Sequence, residues 1–241
     1  MTSPCSASSP KEPTPTSAEA LESQRRAQRV PALQLLSQLG GALWALCYAW
    51  GLWVGATAGA LTFPPLVTAL NVSWEFAFAI LWPPANRVSR ITYRVWLALD
   101  AALLLEALLW GSASVTWPLA RAHFPLLLAG GVLAALGAQV VLYRALQAPQ
   151  LQAYLVNLIM SVGFLWAYLT QSEGLVFAPG VAWLKLLGTT CISAANVYAF
   201  LPEWRKRWPG LALFALIFAL DASYVGLVMS GAPSAAVRLS P

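Results

Sequence analysis

Charge is what this chain has least of. Asp, Glu, Lys and Arg together make up 10% of its 241 residues, against 59% hydrophobic residues. A soluble domain carries about a quarter charged residues, so a water-soluble globular fold is excluded, and with it any sizeable extramembrane domain. Histidine occurs once, as His123, beside Arg121 at the end of an apolar segment. A lone imidazole builds no metal centre and reads as an interfacial residue. The three cysteines, Cys5, Cys47 and Cys191, are scattered and without CxxC spacing. Neither a disulfide framework nor a thiolate metal site follows from them. The formal net charge of +5 does not indicate nucleic-acid binding, because the basic residues are confined to short loops and one tail. They speak to membrane orientation instead.

What is present is apolar sequence in lengths suited to a bilayer. Residues 1–30 form a polar N-terminal tail. Its first part, to about residue 17, is rich in Ser, Pro and Thr and has no apolar period, so it is expected to be disordered. Residues 18–30 suit a short polar helix at the membrane surface. A secretory signal would place its apolar core nearer Met1, so the first apolar run reads as a retained span. A membrane domain over 31–232 and a short C-terminal tail over 233–241 complete the chain. Hydrophobic segments fall near 35–58, 61–82, 95–115, 122–144, 150–170, 179–201 and 208–230. Each is about 20 residues, the length that crosses the hydrocarbon core. The expected fold is all-α, a polytopic bundle of seven transmembrane helices around an internal cavity. The first two segments, joined by a tight uncharged link around Gly59 and Pro64, are expected to form a helical hairpin. Pro64 and Pro65 suit the first turn of the second helix.

Basic residues support this topology. With the N-terminus on one side, that side holds Lys11, Arg25, Arg26, Arg29, Arg87, Arg90, Arg94, Arg144, Arg205, Lys206 and Arg207. The other side holds Arg121 and Arg238, with Lys185 near the start of the sixth span. The imbalance places the N-terminus in the cytoplasm and the C-terminus outside. Tryptophan is abundant, with 12 residues. Trp82, Trp96, Trp117, Trp204 and Trp208 at span ends read as interfacial anchors. Trp74 and Trp166 lie within spans, where core packing and a cavity wall are both open.

Four acids interrupt the apolar segments: Glu75, Asp100, Glu106 and Asp221. A carboxylate at the bilayer centre costs roughly 2.5–3.5 kcal/mol even on the mildest scale, so the acids are expected in an internal polar cavity with a use. Asn71, Trp74 and Glu75 are spaced i, i+3, i+4 and share one helix face. Glu75 lies about seven residues, roughly 10 Å, from the cytoplasmic end of its helix. Asp221 and Tyr224 form an i, i+3 pair nearer the midplane. Asp100 enters at a depth close to that of Glu75. Glu106 points about 120° away from it, which makes Asp100 the expected interior residue. An interhelical polar clamp is the plainer reading, but such bonds average only ~0.6 kcal/mol. No Lys or Arg is expected at matching depth, Lys185 being placed toward the outer surface. At least one acid is then expected to stay protonated, and a protonated carboxyl in a dry, aromatic-lined pocket is a general acid. Tyr154, Asn157 and Ser161 on the fifth span, and Thr189, Thr190, Ser193 and Asn196 on the sixth, offer further polar groups or helix–helix contacts.

Asn71-Val72-Ser73-Trp74-Glu75 resembles the N-x-x-W-E signature of the paxilline-type integral-membrane terpene cyclases. These comprise fungal meroterpenoid and indole-diterpene cyclases and bacterial drimentine-type indole-sesquiterpene cyclases. Arg94 to Asp100 is similar to the family's W-x-x-x-D opening of the third span. Met160-Ser161, Leu187-Gly188-Thr189, and Asp221 followed by Tyr224 resemble later landmarks. The likeness runs from about residue 35 to 230; Glu106 and the long polar tail depart from it. The resemblance implies a metal-free, cofactor-free cyclisation begun by protonation of a prenyl chain. It makes Glu75 and Asp221 the essential acids. Asn71, Trp74, Asp100, Asn157, Ser161, Trp166 and Tyr224 are the residues expected to surround the substrate. The DDxxD and DxDD motifs of soluble terpene cyclases are absent, so neither a diphosphate leaving group nor magnesium is expected. The Ala, Leu and Arg bias suggests a bacterial cell membrane and, with it, a farnesylated indole-type substrate. A proton-coupled small-molecule carrier is the alternative; it would move its substrate without changing it.

Overall fold

The computed structural model describes residues 17–146, 149–170, 172–204 and 208–231. The expectations for the first 16 residues and for the C-terminal tail lie outside these. Among the described residues there are eight α-helices: α1 Ser17–Ala58, α2 Pro65–Phe76, α3 Arg87–Trp110, α4 Pro118–Ala122, α5 Phe124–Leu146, α6 Pro149–Leu169, α7 Pro179–Trp204 and α8 Trp208–Met229. The all-helical class expected from the sequence is the one observed. Among the described residues, five helices are long and apolar enough to cross a membrane, and Pro65–Leu81 is a shorter apolar helix. The α7 helix, 26 residues long, is not one of those five and carries Lys185, Thr189, Thr190, Ser193 and Asn196 along its length.

Several boundaries differ from the expected ones for local reasons. The polar stretch before residue 31 is not a separate surface helix but the continuous beginning of the 42-residue α1. The third segment starts at Arg87 rather than near 95, because the Asn86 side chain accepts hydrogen bonds from the backbone N–H groups of Val88 and Ser89. That is an N-cap, and it lets Arg90 and Arg94 ride on the first turns. The second segment divides: α2 begins at Pro65, and after Phe76 the chain widens into a π-helical turn over Ala77–Leu81. Gly59 turns the chain between α1 and α2 at φ 61°, a conformation that favours glycine.

The expected α1–α2 hairpin is corrected by the packing. The tight link exists, but α1 lies mainly along α7, with α3 second, while α2 sits among α5, α3 and α6. Glycines explain the first pairing. A Cβ placed on Gly40 would lie 2.8 Å from the Gly188 carbonyl oxygen and 2.9 Å from the Ile192 nitrogen. The two backbones therefore touch, as small residues allow between membrane helices. The α6 and α5 helices are clamped by Gln152, whose Nε2 donates to the Gln139 side-chain oxygen at 2.6 Å and to its carbonyl at 2.9 Å. At the opposite end from Asn86, the 60s and 170s loops are tied: Leu61 N–H donates to Gly174 O, and Val176 N–H to Leu61 O.

Large apolar side chains sort into two populations. Tyr48, Phe63, Trp74, Phe164 and Tyr224 form the buried centre. Trp53, Trp117, Leu126, Leu133 and Trp166 are exposed on the outer surface, where a bilayer supplies the apolar environment.

Candidate active site

The site is built on α2. The helical repeat puts Asn71, Trp74 and Glu75 on the face turned inward, and all three are buried. Asn71 acts as a polar hinge between three helices. Its Nδ2 donates to the Tyr48 hydroxyl on α1 at 2.7 Å and to both oxygens of Asp100 on α3, at 2.8 and 2.9 Å. Glu75, one turn further on and 1% exposed, has a buried Oε2 without any hydrogen-bond partner. The π turn begins two residues later. Such turns re-aim the side chains around them and occur often at functional sites.

Asn71, Trp74 and Glu75 line a cavity of about 790 Å³, within the range of small-molecule sites. Its walls are aromatic. Trp74 and Phe78 lie 4.1 Å apart between ring centroids, and Trp82 stacks on Tyr143 at 3.9 Å and 11°. Tyr93 and Trp96 extend this wall, with the Trp96 indole N–H held by the Gly41 carbonyl. Asn157, Thr189, Ser193 and Asn196 supply a polar side. Among the described residues the lining contains no Lys, Arg or His. Also among them, no three His, Cys, Asp or Glu side chains come together as a metal site.

A second polar cluster lies off this lining, among α6, α7 and α8. Lys185 is 1% exposed, and its ammonium pairs directly with Asp221, which is 2% exposed. Lys185 Nζ also donates to Ser161 Oγ at 2.7 Å and approaches Asn157 Oδ1 at 3.4 Å. The expectation that Lys185 sits toward the outer surface, and that no basic group meets the acids, is therefore corrected. Lys185 lies in the second turn of α7, and its flexible four-carbon stem carries the ammonium into the interior, where the Asp221 carboxylate offsets its burial.

The structure thus divides the expected site residues. Glu75, Asn71, Trp74 and Asn157 line the cavity; Asp100 lies directly behind Asn71 and is fully buried. Asp221 and Ser161 belong to the Lys185 cluster. Tyr224 is buried between Phe164 and Tyr168, at centroid distances of 5.4 and 6.2 Å, with its hydroxyl unpartnered. Trp166 stands apart, 67% exposed on the outer surface. Glu106, 7% exposed, is likewise separate: it fills the space left by Gly55, where a Cβ would lie 2.8 Å from its Oε2. Of the tryptophans read as anchors, Trp82 and Trp96 line the cavity, while Trp117 is exposed. Sequence reading missed Tyr48, Trp44, Tyr143 and Lys185. A single lysine between Leu184 and Leu186 was the available signal, since an intramembrane cation implies a buried partner.

An inward acid on an all-helical, apolar scaffold, facing an aromatic cavity, defines a membrane-embedded small-molecule site. The sequence places it further: over residues 22–230 the chain matches the Pyr4-like transmembrane terpene cyclases, and it belongs to that family. It is similar to terpene cyclase andB of Emericella variicolor, with 27% identity over 168 residues, 66% of this chain and 69% of that protein. It is also similar to terpene cyclase idtB of Claviceps paspali, with 28% identity over 150 residues, 58% of each chain. No solved structure matches it.

Proposed function

We propose that this protein is a metal-independent terpene cyclase that protonates the terminal alkene or epoxide of a prenyl chain, farnesyl in length, carried on an indole-type acceptor. Glu75 is the proton donor. The observation that carries this reading is its setting: a buried carboxyl on the cavity wall, one oxygen unpartnered, with no basic side chain on the lining among the described residues. A charge there would go uncompensated at a cost of several kcal/mol, so the pocket favours the neutral acid, which is the form that can give a proton.

Protonation of an epoxide oxygen opens the C–O bond, and protonation of an alkene adds the proton to carbon. Either leaves a tertiary cation that the next double bond attacks. Loss of a proton from the last cation returns it to the Glu75 carboxylate, so the product is an isomer of the substrate. Aromatic faces within about 6 Å stabilise such cations; Trp74, Phe78, Trp82 and Tyr143 are the candidates. Exclusion of water protects the cation from capture. Asp221 assists from behind the wall, Asn71 and Asp100 orient the α2 face, and Asn157 meets substrate on the polar side of the lining, with Ser161 and Tyr224 buried off it. The basic-residue imbalance supports a multi-pass arrangement with the N-terminus cytoplasmic and the C-terminus outside.

The test is incubation of membranes containing the protein with linear farnesylated indoles, with and without the terminal epoxide. Isomeric cyclic products are expected. Recovery of the linear compounds unchanged, with transfer across the membrane, would support the carrier instead.

A further inference from the structure

We propose that Lys185 is a positioning residue of the cyclase site: its ammonium fixes Asp221 as a carboxylate and orients the Asn157 amide on the cavity wall. The inference rests on the cyclase reading above and assigns a role to a residue that the sequence pattern leaves unassigned. Three observations carry it. The Lys185–Asp221 pair is almost wholly buried, with exposures of 1% and 2%, so each charge depends on the other. Ser161 Oγ, itself donating to the Asn157 carbonyl at 2.9 Å, accepts from Lys185 at 2.7 Å. Asn157 turns its Oδ1 toward the ammonium at 3.4 Å, which leaves its Nδ2 to donate to Thr189 Oγ1 at 3.3 Å. Asn157 and Thr189 both line the cavity, so the ion pair sets the direction of a polar patch that substrate would meet.

The pair also controls the field at the cavity. Lys185 Nζ lies 5.7 Å from the centroid of the Trp44 ring and 5.8 Å from that of Phe164. Trp44 is a lining residue. An unpaired ammonium there would oppose a carbocation on the other side of the ring. Asp221 cancels that charge, and its importance to catalysis follows from this role rather than from giving a proton to substrate.

Two measurements test this. The first needs no substrate: infrared spectra of the purified protein in the protonated-carboxyl C=O region. Asp221→Asn is expected to leave that absorption unchanged, Glu75→Gln to reduce it, and Lys185→Met to add a component as Asp221 takes up a proton. Loss of a protonated-carboxyl component in Asp221→Asn, or an unchanged spectrum in Lys185→Met, overturns the proposal. The second is a double-mutant cycle on cyclisation of the farnesylated indole probes, with thermal unfolding in detergent to confirm folding. Asp221→Asn is expected to lose about 100-fold or more, because it strands the buried ammonium, and Lys185→Met to lose no more than about 10-fold, because Asp221 then takes up a proton and only the orientation of Asn157 is lost. The combined variant should return to within about 10-fold of the parent. A folded double variant as inactive as Asp221→Asn alone would mean that Asp221 acts on substrate directly, and the proposal falls. If the parent protein forms no cyclic product, the cyclase reading fails, while the infrared result still decides the ion-pair claim.

Discussion

Replacing Glu75 by Gln separates the chemistry of this carboxyl from its packing. The two side chains have nearly the same volume, and Glu75 is 1% exposed with its Oε2 unpartnered. An amide in that position exchanges one unsatisfied polar atom for another, each worth about 1–3 kcal/mol. The difference should be under about 1.5 kcal/mol, a shift of a few degrees in the unfolding temperature of a protein this size. The effect on rate should be far larger. A positioned general acid contributes about 10²–10⁴, or roughly 2.7–5.4 kcal/mol at 1.36 kcal/mol per decade, and among the described residues the lining offers no other basic or acidic side chain to take over. Glu75→Asp makes the sharper comparison. It keeps the proton but withdraws it by about 1.5 Å, and displacement of about 1 Å can cost 10²-fold. The assay is product formation from linear farnesylated indole by membranes carrying equal amounts of each variant, alongside thermal unfolding in detergent. The order should be parent, then Asp, then Gln at background. A Gln variant that cyclises at the parent rate would refute Glu75 as the donor. A Gln variant that fails to unfold cooperatively would refute the claim that the site tolerates the amide.

Gly40→Ala should destabilise the fold by about 1–3 kcal/mol, the usual cost of overpacking, since its Cβ meets backbone atoms of Gly188 and Ile192 that no side-chain rotation can move. Gly130→Ala, with nothing within 4 Å, should leave the unfolding temperature unchanged; equal behaviour of the two would contradict the α1–α7 contact. Asn71→Leu removes the donor that holds both Asp100 and Tyr48, so it should lower stability by about 1–3 kcal/mol and reduce cyclisation with it. Wild-type stability in that variant would show that the hinge is not formed. A strong chelator should leave product formation unaltered; loss of activity restored by added magnesium would contradict the metal-independent reading.

The sequence was most informative where polar groups interrupt apolar runs, because there the energetic demand is local. Glu75, Asn71 and Trp74 fall on one face by spacing alone, and burial of Asp100 follows from its depth. What spacing does not encode is which helices meet. The turn at Gly59 suggests that α1 and α2 pair, yet Gly40 and Gly188 bring α1 against α7 instead. That close approach is visible only once both backbones are placed. Tyr48 was missed for the same reason: its hydroxyl matters through Asn71, 23 positions away. Trp166 shows the converse. Its place within a span made a cavity wall plausible, but helical phase turns it outward. Asp100 and Glu106 were expected to compete for the interior; both are buried, in different compartments, because α3 is flanked by α2 at one level and by Gly55 of α1 at the other.

Lys185 bears on both the acid and the cation. A cyclase cavity must hold a neutral acid and then a cation, and a free ammonium nearby would harm both, by drawing the acid into its charged form and by repelling the cation. The ammonium sits 5.7 Å from the centroid of Trp44, so a carbocation on the cavity side of that ring would be about 10 Å away. At an effective dielectric of about 20 the repulsion would be ~1.7 kcal/mol, more than a tenfold change in rate. Pairing with Asp221 replaces that monopole by a short dipole and removes most of the penalty. The two acids implied by the family resemblance therefore need opposite surroundings. On the proposed mechanism, Glu75 would act because no basic side chain among the described residues of the lining neutralises it, and Asp221 because it neutralises Lys185. Glu75 lies on the cavity lining and Asp221 off it, which keeps the two demands from conflicting.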